Sequence, residues 1–276
     1  MKSDLAAVGA VLLWSSLATL GVTLVHIPPL LLTGLGLLIG SAISLVSSKF
    51  KIRELLVPPR ALLIGVYGLL GFHLALFAAF QTAPVVAANL INYLWPLLLV
   101  LLAPLFTKSK LKLTHVIAAL IGFAGAAIAI LSGGSAGFSL EIGYLFALMA
   151  AIIWATYSLM SAKLEGLSSN SVGSFAFVSG ALALGLHFVL EQPVAISPQD
   201  WLFILLMGLG PLGGAFYLWD YALKTGNPQR AGLISFATPV LSTTFLVVAQ
   251  GKAPSIEIFL AAALIVMAAW IGRSAK

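Results

Sequence analysis

From Leu5 to Val25 the chain runs without a charged residue. At about 1.5 Å per residue a helix of that length spans the roughly 30 Å hydrocarbon layer of a bilayer. Stretches of the same kind recur to the end of the chain, at Asp4–Val25, Pro28–Ser48, Arg60–Phe80, Pro84–Phe106, Thr114–Leu131, Glu141–Ala162, Ser171–Leu190, Trp201–Leu223, Pro228–Ala249 and Ser255–Ile271. Backbone amides in such runs find no water in lipid and must close their hydrogen bonds within each segment. The runs do not alternate apolar with polar residues, which speaks for helices over barrel strands. Only 8% of the 276 residues are charged, against about 25% in a soluble domain. The chain therefore reads as an all-α integral membrane protein with ten transmembrane helices. The first apolar run exceeds the roughly 7–15 residues of a cleavable signal core and is read as the first span.

Cysteine is absent, which removes disulfide and thiolate chemistry. The net charge of +6 does not point to nucleic acid, because the lysines and arginines sit in short loops, where they set topology. With both termini cytoplasmic, all 14 basic residues except Lys252 fall on the cytoplasmic side, and Glu141, Glu191, Asp200 and Glu257 fall on the other. The connections at Gln81–Ala83 and Gly226–Asn227 are so short that the third and fourth spans, and the eighth and ninth, must form antiparallel hairpins.

The fourth span carries a polar insertion, Asn89-Leu90-Ile91-Asn92-Tyr93-Leu94-Trp95-Pro96. Asn89, Asn92, Tyr93 and Pro96 follow i, i+3, i+4, i+7 spacing and share one helix face. Carboxamides on such a face are costly against lipid, so that face must meet protein or a cavity. Sliding the chain by 143 residues lays Gly65, Gly71, Thr82, Ala88 and Pro96 on Gly208, Gly214, Thr225, Ala231 and Pro239. The insertion thereby meets Gly232-Leu233-Ile234-Ser235-Phe236-Ala237-Thr238-Pro239. Trp14 and Trp154 echo one another at an offset of 140. Spans three and four thus correspond to spans eight and nine. Five spans is an odd number, so the second copy crosses the membrane upside down, an architecture typical of secondary transporters.

Ten spans, a five-plus-five inverted duplication and proline-marked fourth and ninth helices resemble the drug/metabolite transporter superfamily, EamA type. The sequence Ala88-Asn89-Leu90-Ile91-Asn92-Tyr93-Leu94-Trp95-Pro96-Leu97 is similar to that of its bacterial exporters of aromatic amino acids. What the resemblance implies is a multi-pass bacterial inner-membrane exporter with both termini cytoplasmic. Residues 1–132 and 139–276 would form two five-helix inverted repeats around a central cavity. The expected partners are an aromatic amino acid and the bilayer, with no nucleic acid, cofactor or metal. A monomer suffices for this reading, and a dimer is left open.

The candidate substrate contacts are His73, Asn89, Asn92, Tyr93, Trp95, Trp14, Trp154, Tyr157, Tyr217, Ser235 and Thr238. Carboxamides can hold the amino and carboxylate groups of a zwitterion while rings pack its side chain. Asn89 and Asn92 can equally cross-link helices, and Ser235, Thr238 and Ser242 can equally bond their own helix carbonyls. His73, well inside the third span, invites a substrate contact or proton coupling, or is a satisfied interhelical donor. Mid-span Trp14 and Trp154 need partners for their indole N–H groups, whereas Trp201 and Trp270 read as interface anchors. Trp219 fits either description. Tyr217 is placed roughly opposite His73 by the repeat. Pro96, Pro239, Gly208, Pro211 and Gly214 are candidate gating or hinge positions, with close helix approach as the competing reading. Asp220 lies four residues before Lys224 and reads as half of a helical ion pair.

No charged cluster or carboxylate pair is placed to run a membrane enzyme, so no catalytic residue is assigned. Gly133-Gly134-Ser135-Ala136-Gly137 fits a hydrolase pattern but lacks the strand and the partners that pattern needs. No lysine or arginine lies mid-span to meet a phosphate, which disfavours phosphorylated cargo. The function expected is export by alternating access, as facilitated diffusion, with proton-coupled drug or metabolite efflux as the second reading.

Overall fold

The structure is a computed structural model that describes residues 1–51, 55–107, 110–132, 141–164, 166–251 and 253–273. Among these there is no strand. Nine of the described helices are long and apolar enough to cross a membrane: α1 (Lys2–Thr23), α2 (Pro29–Ser47), α3 (Pro59–Thr82), α4 (Val85–Phe106), α5 (Leu113–Ser132), α6 (Gly143–Ala162), α7 (Ser171–Leu190), α8 (Pro198–Thr225) and α9 (Pro228–Ala249). The shorter apolar helix α10 (Ile256–Arg273) follows. The Gly133–Gly137 motif lies outside the described residues.

Proline starts many of these helices. Pro29, Pro59, Pro198 and Pro228 sit in first turns, where the missing N–H has no intrahelical partner to lose. The first turn of α8 is closed by a capping box. Asp200 N donates to Ser197 Oγ at 3.1 Å, and Ser197 N donates to Asp200 Oδ2 at 2.9 Å. α2 borrows its cap from the far end of α7. There the Glu191 carboxylate accepts from Leu30 N at 2.9 Å and Leu31 N at 3.2 Å, and also meets His187 Nδ1 at 2.8 Å. A negative group at a helix N-terminus satisfies open amides and suits the helix dipole.

Four departures from regular α-helix come in two pairs. α3 is wound as a π-helix over Tyr67–Gly71, and α8 over Gly210–Gly214, 143 residues on. α4 breaks after Asn92 and resumes at Trp95, while α9 breaks after Ser235 and resumes at Ala237. The physical cause of the second pair is the proline just beyond each break. Pro96 and Pro239 have no N–H for the carbonyls of Asn92 and Ser235, and their rings crowd those carbonyls. α1 is also broken, at Ser16, whose hydroxyl donates to Leu13 O at 2.7 Å.

Small residues let the helices approach closely. A Cβ on Gly40 of α2 would fall 2.7 Å from the Cα of Gly213 in the π segment of α8. A Cβ on Gly34 would fall 2.7 Å from Leu184 of α7, and one on Gly125 of α5 would fall 3.0 Å from Ala261 O of α10. Lipid tails are as apolar as leucine, so packing of this kind is what holds such helices together. Other packed pairs are α1 with α8, α3 and α4 with α6, and α4 with α9.

Candidate functional site

The break in α4 delivers Trp95 into the middle of the bundle, where it is 6% exposed. Its ring lies edge-on to three other tryptophans: Trp14 of α1 at 6.3 Å between centroids, Trp154 of α6 at 6.3 Å and Trp219 of α8 at 5.5 Å. Trp14 touches Trp154 at 5.7 Å and Trp219 at 5.3 Å, so the four indoles form one body. Phe72 at 5.1 Å, Tyr157 at 5.4 Å and Phe216 at 5.5 Å surround Trp154. Edge-to-face pairs at these separations add about 0.5–1.5 kcal/mol each beyond their buried area. Trp219 also donates its indole N–H to Ser158 Oγ at 3.0 Å. Four spans, α1, α4, α6 and α8, thus meet through rings where the sequence leads one to expect an open cavity.

His73 joins this body from α3. It is 7% exposed, and its Nδ1 lies 2.6 Å from Leu69 O. A carbonyl only accepts, so Nδ1 carries the proton and Nε2 is the acceptor of the neutral ring. The imidazole stands against Phe72 at 5.2 Å, Phe77 at 5.9 Å and Phe216 at 6.5 Å. Phe216 is the repeat equivalent of His73, 143 residues on.

Tyr217, the next residue, goes elsewhere. Its hydroxyl donates to Gly40 O at 3.0 Å and accepts from Ser44 N at 3.3 Å, both on α2. Placing Tyr217 opposite His73 slips the alignment by one residue, and one residue turns a helical side chain by about 100°. That hydroxyl is committed to helix packing.

Polar atoms gather at the two proline breaks. Asn92, just before the break in α4, is 5% exposed, and its Oδ1 has no hydrogen-bond partner among the described residues. Thr238, just after the break in α9, is likewise 5% exposed with an unpartnered Oγ1. An unmet buried polar atom of this kind costs about 1–3 kcal/mol, so each is a ready ligand contact. Ser235 is different: its hydroxyl already donates to Gly232 O of its own helix at 2.7 Å. Ser15 Oγ donates to Val11 O at 2.6 Å and also reaches Thr238 O at 3.4 Å, linking α1 to α9. Asn89 and Tyr93 are half-buried beside Asn92, outside the ring cluster.

Residues 95–106 of α4, after its break, and 228–235 of α9, before its break, press together. A Cβ on Gly232 would lie 3.1 Å from Val100, 3.2 Å from Pro96 O and 3.3 Å from Leu99. Nearby, Asp220 is 2% exposed, pairs with Lys224 at 2.8 Å and accepts from Ser161 Oγ. Pro96 is buried at this crossing, and Pro239 is buried beyond the break in α9. The other halves of the two helices, residues 85–92 and 237–249, make no extended contact among the described residues. Gly208 serves close approach, since a Cβ there would lie 2.7 Å from Ile39 of α2. Pro211 and Gly214 belong to the π segment that comes after it.

A cavity of about 920 Å³ lies between α1, α8 and α9, and of the residues singled out from sequence only Pro211 lines it. Trp201 and Trp270 are 47% and 70% exposed, as interface anchors should be. Sequence reasoning does not find Phe72 and Phe216, and it leaves Trp219 between an interface anchor and a cavity wall. For Phe216 the signal is present, as the repeat partner of His73.

A bundle of apolar helices with paired breaks and a polar and aromatic junction inside it has the form of a membrane transporter. The family model for the EamA-like transporter family matches residues 1–131 and again 141–272, and the chain belongs to that family. It is 38% identical to the aromatic amino acid exporter YddG of Ancylobacter novellus, over 93% of this chain and 92% of that protein. With the exporter YddG of Escherichia coli it shares 27% identity over 59% of this chain and 58% of that one. A solved structure with 36% sequence identity superposes with a TM-score of 0.92, covering 98% of this chain and 96% of the other.

Proposed function

We propose that this protein exports aromatic amino acids across a bacterial inner membrane by alternating access. Residues 1–132 and 139–276 are taken as two five-helix halves of opposite orientation. The pairing of π segments and proline breaks at one offset, and the two-fold family match, support that division. The observation that carries the reading is the junction itself. Four indoles from four spans stand beside two unpartnered polar atoms, Asn92 Oδ1 and Thr238 Oγ1. An aromatic amino acid offers a ring to intercalate among the indoles and an ammonium to satisfy the Asn92 carbonyl oxygen. Its carboxylate can accept from the Thr238 hydroxyl or, when the imidazole is protonated, from His73.

In the orientation set by the basic loops, the α4–α9 crossing closes the cytoplasmic half and the separated halves open outward. Rocking of the two repeats around the junction would reverse this. Because Asp220, the carboxylate within a span, is tied to Lys224 and Ser161, it is not free to carry protons through the junction, and facilitated diffusion is favoured.

Efflux of labelled tryptophan from proteoliposomes tests both parts. It should exceed that of empty vesicles several-fold and change little when a pH gradient is imposed. A strict need for the gradient, lost in His73→Ala, would assign the protein to proton-coupled efflux instead.

A further inference from the structure

The cavity between α1, α8 and α9 does not belong to the junction. Its floor is Leu13, Ser16 and Leu20. None of the four indoles lines it, although Leu13 and Ser16 flank Trp14 in the chain where α1 breaks. The walls are Leu206 and Leu209 of α8 and Phe245 and Val248 of α9, all between 38% and 57% exposed. The groove therefore opens sideways, where the surrounding medium is acyl chains. It runs from mid-span, at Leu13 and Gly210, to the end of α1 and α9. Seven residues of helix make that about 10 Å, most of one leaflet's hydrocarbon depth.

The other half of the molecule shows why this crevice is open. Gly210 corresponds to Tyr67 at the offset of 143, and Ser16 to Thr156 at the offset that relates Trp14 to Trp154. Tyr67 Oη and Thr156 Oγ1 lie 2.9 Å apart, bridging α3 and α6. Between α1 and α8 the Ser16 hydroxyl remains, but Gly210 offers no group for it to bridge to. A Cβ on Gly210 would meet only Leu13 Cδ2, at 3.9 Å.

Among the described residues, no charged one lines the groove. The Ser16 and Thr244 hydroxyls are spent on their own helices, on Leu13 O and Val240 O at 2.7 Å each. Thr19 Oγ1, toward the end of α1, is buried and has no partner among the described residues. We propose that the groove is a binding site for one acyl chain of a membrane phospholipid. The Thr19 hydroxyl donates to the ester carbonyl, and the chain runs inward over Leu20 and Ser16 toward Gly210. An apolar slot with one hydrogen-bond donor toward its interfacial end matches the order of groups along a phospholipid, polar ester first and methylenes below.

The test is photolabelling of the full chain in nanodiscs of phosphatidylcholine, part of which carries a diazirine in mid-chain, with peptide mapping of the products. Label should concentrate on Leu206, Leu209, Phe245 and Val248, several-fold above the level on Phe259 and Val266 of α10, which are 60% and 69% exposed. Gly210→Leu and Thr244→Phe should each bring the groove down to the α10 level, and Thr19→Val should lower it partly. If Gly210→Leu does not fold, as judged by size exclusion, Thr244→Phe carries the comparison. Equal labelling of groove and α10 in the unaltered protein would overturn the proposal, as would labelling that both filled variants leave unchanged. Displacement of the label by excess tryptophan would assign the groove to cargo and also overturn the lipid site.

Discussion

Trp95 is the residue on which the junction hangs, since its ring is the one α4 contributes to the four-indole body. Trp95→Ala removes three edge-to-face contacts and leaves a void that water or cargo cannot fill with the same geometry. A cavity of that size costs about 3–5 kcal/mol in a soluble core. In lipid the transfer part of that cost is smaller, so the variant should still fold with a lowered melting temperature. Tryptophan efflux should fall more than tenfold, with Trp95→Phe in between. Asp220 makes a sharper stability prediction. Asp220→Asn leaves the Lys224 ammonium, 12% exposed, without its counter-charge, and should cost about 3–5 kcal/mol. Adding Lys224→Met should recover most of that loss in a denaturation series, which a role in proton transfer would not require. Trp14, Trp95, Trp154 and the Asp220–Lys224 pair were legible because indoles and charges are rare within spans and each demands a partner. Phe72 was not, because with 16 phenylalanines spread through an apolar chain nothing local marks the ones that face inward, and only the repeat offset from His73 marks Phe216.

At the scale of the helix, the proline breaks were legible and the π segments were not. Proline removes an identifiable hydrogen bond, whereas the π turns over Tyr67–Gly71 and Gly210–Gly214 arise where glycines let neighbouring helices crowd the backbone. Restoring the amide by Pro96→Ala should give the Asn92 carbonyl its partner, raise the melting temperature and slow transport by straightening α4. A rise in stability with unchanged flux would show that the break is packing geometry and not a moving part. Gly213→Leu makes the opposite case. A Cβ there would lie 2.1 Å from Gly208 O and 2.7 Å from the Cα of Gly40, with backbone on both sides. No side chain can move aside, so this variant should fail to give folded protein at all. Folded, active Gly213→Leu would mean that α2 and α8 do not cross as closely as described.

For the molecule as a whole, the positions of the spans were legible in hydropathy, and the family match covers residues 1–131 and 141–272. The packing between halves was not, because nothing in an apolar run says which of its faces meets which neighbour. Orientation can be tested cleanly, as the chain has no cysteine to remove. A single cysteine at Ser255 should react with an impermeant maleimide in intact cells, and one at Ser3 only after permeabilisation. The central claim is that the four-indole junction with Asn92 is where cargo binds. Equilibrium binding of labelled tryptophan to the purified protein measures it most directly, with Trp95→Ala and Asn92→Ala alongside. The account predicts saturable binding, competed by phenylalanine and not by alanine, and weakened at least tenfold in both variants. Undiminished binding in both variants, each shown to be folded, would contradict it.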